Sequence, residues 1–185
     1  MLRLSILAGL LAFRAVVTAA SPVGVYLDFD KPPLPSVLQA MEKEAAHVLA
    51  PVGIDVTWRF VSQNQGNEAF ARLAVVRFTG ICAPEGLLPA TQDAQVLGST
   101  AVVSGQVLPF SQVYCDAVRR MMPDIEYAPD RLVGDAALGR VLGRVMAHEL
   151  YHAVLGTTHH AATGLAKAVQ TTDDLKSGAW SFETK

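Results

Sequence analysis

Apolar and polar residues alternate from Val23 to Phe29, setting Val23, Val25, Leu27 and Phe29 on one face of a predicted strand. Lys31-Pro32-Pro33-Leu34-Pro35 breaks that pattern. Ser36 then suits a helix N-cap, and Val37, Leu38, Met41, Ala45 and Leu49 recur at helical spacing until Pro51-Val52-Gly53 stops them. His47 lies on this helix and reads as a solvent-facing or half-buried side chain rather than a ligand. Alternation returns from Ile54 to Phe60, a half-buried strand. Ser62 to Asn67 is polar and loop-like, Leu73 to Phe78 a further strand, and Pro84 to about Asp93 irregular. Val96 to Val103 is another predicted strand. Phe110 to Met122 is expected to be a helix, carrying Cys115 with Val113, Val118 and Met121 as its apolar positions. A long helix is predicted from an Asp135 N-cap to Leu155. Leu138, Val141, Leu142, Val145, Met146, Leu150 and Ala153 form its apolar stripe. Gly139 and Gly143 lower its propensity and are expected to let the sheet approach closely. Thr171 to Leu175 is expected to be a short helix, and Trp180 and Phe182 to close the core.

This order predicts an α+β fold, a mixed twisted β-sheet packed on helices with the long helix beneath it. The segment Val96–Val103 is the candidate edge strand for main-chain pairing with an extended peptide. A chain of 185 residues, 51% apolar and 17% charged, suits one globular domain.

Residues 1–20 read as a signal peptide: Arg3, an apolar run from Leu4 to Phe13, and small residues at Thr18-Ala19-Ala20, with cleavage expected after Ala19 or Ala20. The run is shorter than the roughly 20 residues of a membrane span. The expected mature chain, 21–185, is therefore exported, secreted or periplasmic, with no membrane span. Removing Arg3 and Arg14 with no acid leaves 13 of the 15 basic residues against 17 acidic ones, a balance of −4 that argues against a nucleic-acid surface. In an oxidising compartment the two cysteines, Cys82 and Cys115, are expected to form a disulfide; two separate buried thiols are the alternative.

Chemistry concentrates in His148-Glu149-Leu150-Tyr151-His152, with Gly156, His159 and His160 following. On a helix His148 and His152 stand one turn apart and can share a metal ion, while Glu149 reaches a water without taking a ligand position. Gly156 ends the helix and lets the chain return with His159 or His160 as third ligand. Three imidazoles and one open position are the ligand set of catalytic zinc, which activates a water for attack with Glu149 as general base. Two solvated histidines on a surface helix are the plainer alternative.

These residues resemble a group of small exported bacterial metzincin-like zinc metallopeptidases, whose signature runs H-E-[IL]-x-H-x-L-L-G-x-x-x-H-[SA]-x-x-G-[IL]-M-[RK]-A. The matching positions are His148-Glu149-Leu150-Tyr151-His152, Leu155-Gly156, His160-Ala161 and Gly164-Leu165-Ala166-Lys167-Ala168. The resemblance selects His160 over His159 and implies one catalytic Zn2+ and a peptide or protein substrate. It also implies a zincin fold with a long active-site helix. Ala166 stands where the signature has methionine, so a zinc-binding interaction module without turnover is the second expectation. Asp173 and Asp174 offer alternative acidic ligands, although their setting reads as the first turn of a helix.

Overall fold

The computed structural model describes residues 22–84, 96–122 and 130–176. The predicted signal segment, most of the irregular stretch after Pro84, and Trp180 and Phe182 lie outside the described residues.

Alternation builds the sheet. Strand β1 (Val23–Phe29) lies between β2 (Val56–Phe60) and β3 (Arg72–Thr79), parallel to both. Strand β5 (Gln106–Tyr114) runs parallel to β3, and β4 (Gly98–Val103) is the antiparallel edge, giving the order β2-β1-β3-β5-β4. The parallel strands need crossovers, and helix α1 (Pro35–Leu49) supplies the one from β1 to β2. Two short helices, α2 (Cys115–Met121) and α4 (Thr172–Lys176), accompany the 25-residue α3 (Arg131–Leu155). The mixed sheet with helices packed on it agrees with an α+β expectation. Among the described residues no helix is long and apolar enough to cross a membrane.

One predicted helix is a strand for most of its first half. Residues 110–114 belong to β5, and α2 begins only at Cys115. Ser111 and Val113 are buried while Phe110 and Gln112 face out, a period of two that the helical spacing of Val113, Val118 and Met121 obscured. Pairing on both sides, with β3 and β4, outweighs local propensity here. Pro109 fits because it precedes the first β3 pair at Phe110 and falls where the β4 register shifts between Thr100 and Val102.

Two predicted caps are also displaced. Pro35 occupies the first turn of α1, leaving Leu34 at the N-cap, and α3 starts at Arg131 with Asp130 accepting a hydrogen bond from Leu132 N at 2.9 Å. The two residues expected to cap these helices instead meet each other: Ser36 donates to the carboxylate of Asp135, which is only 2% exposed.

Helices α1 and α3 cross tightly, and the glycines of α3 explain how. A Cβ at Gly139 would sit 2.5 Å from the Val37 carbonyl oxygen, and one at Gly143 2.5 Å from that of Met41. Both glycines therefore admit α1, not the sheet as expected from sequence. Val37, Met41, Ala45 and Val48 of α1 and Leu138, Leu142, Met146 and Leu150 of α3 are essentially fully buried. On its other side α3 packs under β3, β4 and β5. Cys82 and Cys115 are joined in a disulfide across 33 positions, which in the chain-entropy description is worth about 3–4 kcal/mol. Arg144, 6% exposed, pairs with Glu44 of α1 at 2.6 Å and donates to the Leu175 carbonyl at 2.6 Å, fastening α4 to both long helices.

Candidate metal centre

The last turns of α3 carry His148, Glu149 and His152. Gly156 ends the helix with φ +64°, in the left-handed region that glycine enters without a Cβ penalty, and its N–H caps the His152 carbonyl. The chain then turns back through His160. Ala161 N donates to Ala166 O at 2.8 Å, and Gly164 makes the second reversal at φ +71°. Leu165 and Ala166 are buried beneath the returned chain.

That path brings three imidazoles together. The ligand-type nitrogens of His148, His152 and His160 all lie within 4.8 Å of one another. The ring of His160 lies 5.5 Å from that of His148 and 4.7 Å from that of His152, centroid to centroid. His159 is not in the cluster; it is exposed, and its N–H donates to Thr157 Oγ1. Asp173 and Asp174 are absent from it as well. Asp174 accepts from Lys167 Nζ at 2.7 Å and from Thr171 N and Oγ1, contacts that hold its carboxyl down to about 2. The metal-ligand reading of these two aspartates is thus not supported, and their capping setting is.

Two backbone carbonyls orient the buried rings. His148 Nδ1 lies 2.6 Å from Leu165 O, and His152 Nδ1 lies 2.7 Å from Thr157 O. A carbonyl only accepts, so both Nδ1 atoms donate, and each neutral ring presents its lone pair at Nε2. The two Nε2 atoms face each other at 3.1 Å. With no proton available to either, that contact is repulsive unless a cation lies between the rings and their neighbour. Burial holds the His148 imidazolium down to about 4, opposed in part by the Leu165 carbonyl, and burial likewise lowers His152. Both rings are therefore neutral at pH 7, the form in which an imidazole can bind a metal. Neutral nitrogen donors fixed through their outer N–H suit zinc.

Glu149 lines the same cavity as the three imidazoles and is 5% exposed. Burial pushes its carboxyl up to about 7, although Thr100 Oγ1 donates to Oε2 at 2.7 Å and partly offsets the rise. Thr100 lies on β4, and its Oγ1 is 3.0 Å from Ser111 Oγ on β5. Gly98, also on β4, is open because a Cβ there would sit 2.7 Å from Glu149 Oε1. Tyr114, on β5, is engaged with Ser99 and Gln112, and Tyr127 lies outside the described residues.

Beside the imidazoles lies a cavity of about 440 Å³. Leu97, Val145, Leu165 and Leu175 give it apolar walls, and Arg144 and Gln170 add polar groups. The edge strand β4 runs along it, with Val96 to Thr100 contributing to the lining. Motif reading reached the histidines and Glu149 but not Thr100, Ser111, Gly98 or the two ring-holding carbonyls. These partners come from chain segments whose proximity has no local sequence signal. No protein-family model, curated protein or solved structure matches this chain.

Proposed function

We propose that the chain is a zinc-dependent peptidase of metzincin-like fold, with His148, His152 and His160 as ligands and Glu149 as general base. The facing Nε2 lone pairs of His148 and His152, 3.1 Å apart with both outer N–H groups committed to carbonyls, carry the proposal. When bound, zinc supplies Lewis acidity toward a water and the scissile carbonyl. Glu149 moves the proton: a carboxyl pushed to about 7 is suited to accept one near neutral pH and return it to the leaving amine. The outer edge of β4 offers main-chain groups to an extended peptide, and the adjacent cavity receives one apolar side chain. The disulfide fits an exported protein, since such bridges persist in oxidising compartments.

Ala166 favours a second reading, a zinc-binding interaction module without turnover. It is buried at the turn beneath the histidines, where methionine would fill more space. One set of proteins separates the two. Elemental analysis should find one zinc per chain, lost in His160→Ala and kept in His159→Ala. Glu149→Gln should keep the metal and lose cleavage of a mixed peptide library. Zinc without cleavage in the wild type would favour the module, and no zinc even after incubation with the ion would remove both readings.

A further inference from the structure

Glu149 is a long side chain whose carboxylate has to hold one position if it is to pass a proton efficiently. The base and the edge strand that positions it are 49 residues apart in sequence, yet Thr100 Oγ1 reaches Glu149 Oε2 at 2.7 Å and the Glu149 backbone carbonyl at 3.1 Å. Thr100 has one hydroxyl proton, and the shorter, charge-assisted contact to Oε2 takes it. Ser111, 3% exposed and 3.0 Å away, can donate its own proton to Thr100 Oγ1, completing a relay from Ser111 to Thr100 to Glu149. Gly98 and Thr100 stand two apart on β4 and so share one face of the strand, toward α3. One of them donates to Oε2 and the other leaves the space in which Oε1 lies, since a Cβ at Gly98 would come within 2.7 Å of Oε1 and 2.8 Å of Cγ. Oε1 accepts no hydrogen bond among the described residues.

We propose that Thr100 is a positioning residue for Glu149: its hydroxyl, supported by Ser111 and by the space at Gly98, holds Oε2 so that Oε1 is the oxygen that exchanges the proton. This rests on the peptidase reading above. A carboxylate anchored through one oxygen keeps a single orientation, whereas a misplacement of about 1 Å can cost two orders of magnitude in rate. Thr100 lies on β4 and borders the cavity, but its hydroxyl is engaged by Glu149 and Ser111 while the proposed peptide contacts are main-chain groups of β4 and apolar walls, so turnover is expected to respond to Thr100→Val more than binding.

The test compares full-length wild type, Thr100→Val, Thr100→Ser and Glu149→Gln, each loaded with zinc and checked for one metal per chain. Cleavage of a mixed-sequence quenched peptide library supplies kcat and KM, and crystal structures of wild type and Thr100→Val supply the position of the Glu149 carboxylate. Thr100→Val is expected to lower kcat about ten- to a hundredfold, the range for a lost hydrogen bond to a charged group, with KM changed less than about twofold. Thr100→Ser is expected to recover most of that loss, and the Val structure to show Oε2 displaced with the three imidazoles in place. Full kcat in Thr100→Val, an unmoved carboxylate, no recovery in Thr100→Ser, or loss of zinc in Thr100→Val would each overturn the assignment while leaving the peptidase reading intact. A zinc-loaded wild type that cleaves nothing would overturn the peptidase reading and the assignment with it.

Discussion

Replacing Gly139 or Gly143 by alanine tests how α3 is seated. At an ordinary helix position glycine to alanine gains about 1 kcal/mol of propensity. Here the new methyl carbon at Gly139 meets Val37 O at 2.5 Å and the Ala40 Cβ at 2.6 Å. At Gly143 it meets Met41 O at 2.5 Å and the Glu44 Cβ at 3.0 Å. Non-bonded contacts settle near 3.5–4.0 Å, so α1 has to retreat by about 1 Å, and its backbone cannot rotate out of the way as a side chain can. Overpacking costs about 1–3 kcal/mol, and 2.5 Å contacts with backbone oxygens put both sites in the upper part of that range, about 2–3 kcal/mol, which leaves each variant destabilised by about 1–2 kcal/mol after the propensity gain. The two sites press on the same stretch of α1, so the double variant is expected to fall short of the summed losses. Urea unfolding followed by circular dichroism would report a lower midpoint with an unchanged slope. Zinc stoichiometry should persist, because every proposed ligand lies on α3 or the turn after it. An unchanged or higher midpoint in either single variant would show that α1 does not approach as closely as described.

Metal-free protein exposes the titrations of the site. In metal-free protein His148 titrates near 4 when folded against about 6.5 when unfolded, so its contribution to stability is full above 6.5 and is lost as pH falls toward 4. Glu149 runs the other way, near 7 folded against about 4.5 unfolded, so the native state loses ground as pH rises from 4.5 toward 7. The two oppose each other over one window. Glu149→Gln is expected to uncover the histidine effect, gaining on wild type by on the order of 2–3 kcal/mol between pH 4.5 and 7.5 in chelator; an equal difference at both pH values would count against the buried carboxyl. Arg144→Ala should cost about 3–5 kcal/mol in thermal or urea unfolding by stranding Glu44 and the Leu175 carbonyl. Arg144→Ala with Glu44→Ala should recover part of that, and a loss equal to the sum of the single variants would indicate no coupling.

Local periodicity carried much of the structure. β1 and the strand within 72–79 follow from alternation, and the two histidines of the motif are one helical turn apart by spacing alone. Where expectation and structure part, the deciding partner is distant. Residues 110–114 are a strand because β3 and β4 flank them, and nothing within those five residues says so. Ser36 and Asp135 both have the chemistry of a cap, and only tertiary packing reveals that they serve each other. The glycines of α3 promised a close neighbour without naming it. Glu149 was legible as a candidate base, but the hydroxyl that bonds its carboxylate belongs to a strand 49 positions earlier. His160 rather than His159 joins the cluster, a choice that the left-handed turn at Gly156 leaves open and the path of the returning chain decides.

The carbonyls that steady the imidazoles have an evolutionary consequence. Leu165 O and Thr157 O accept from His148 and His152, so deleting either ring both empties a proposed ligand position and removes a hydrogen bond tying α3 to the returning loop, where, among the described residues, Leu165 O would keep only its bond from Gln170 Nε2. His160 is exposed, and Glu149 can become glutamine without losing its shape. A lineage drifting free of selection for activity would therefore shed Glu149 or His160 first and keep His148 and His152 for the sake of the fold. A mutational scan selected only for folded protein should show the same ranking, with the two helix histidines the least replaceable of the four residues.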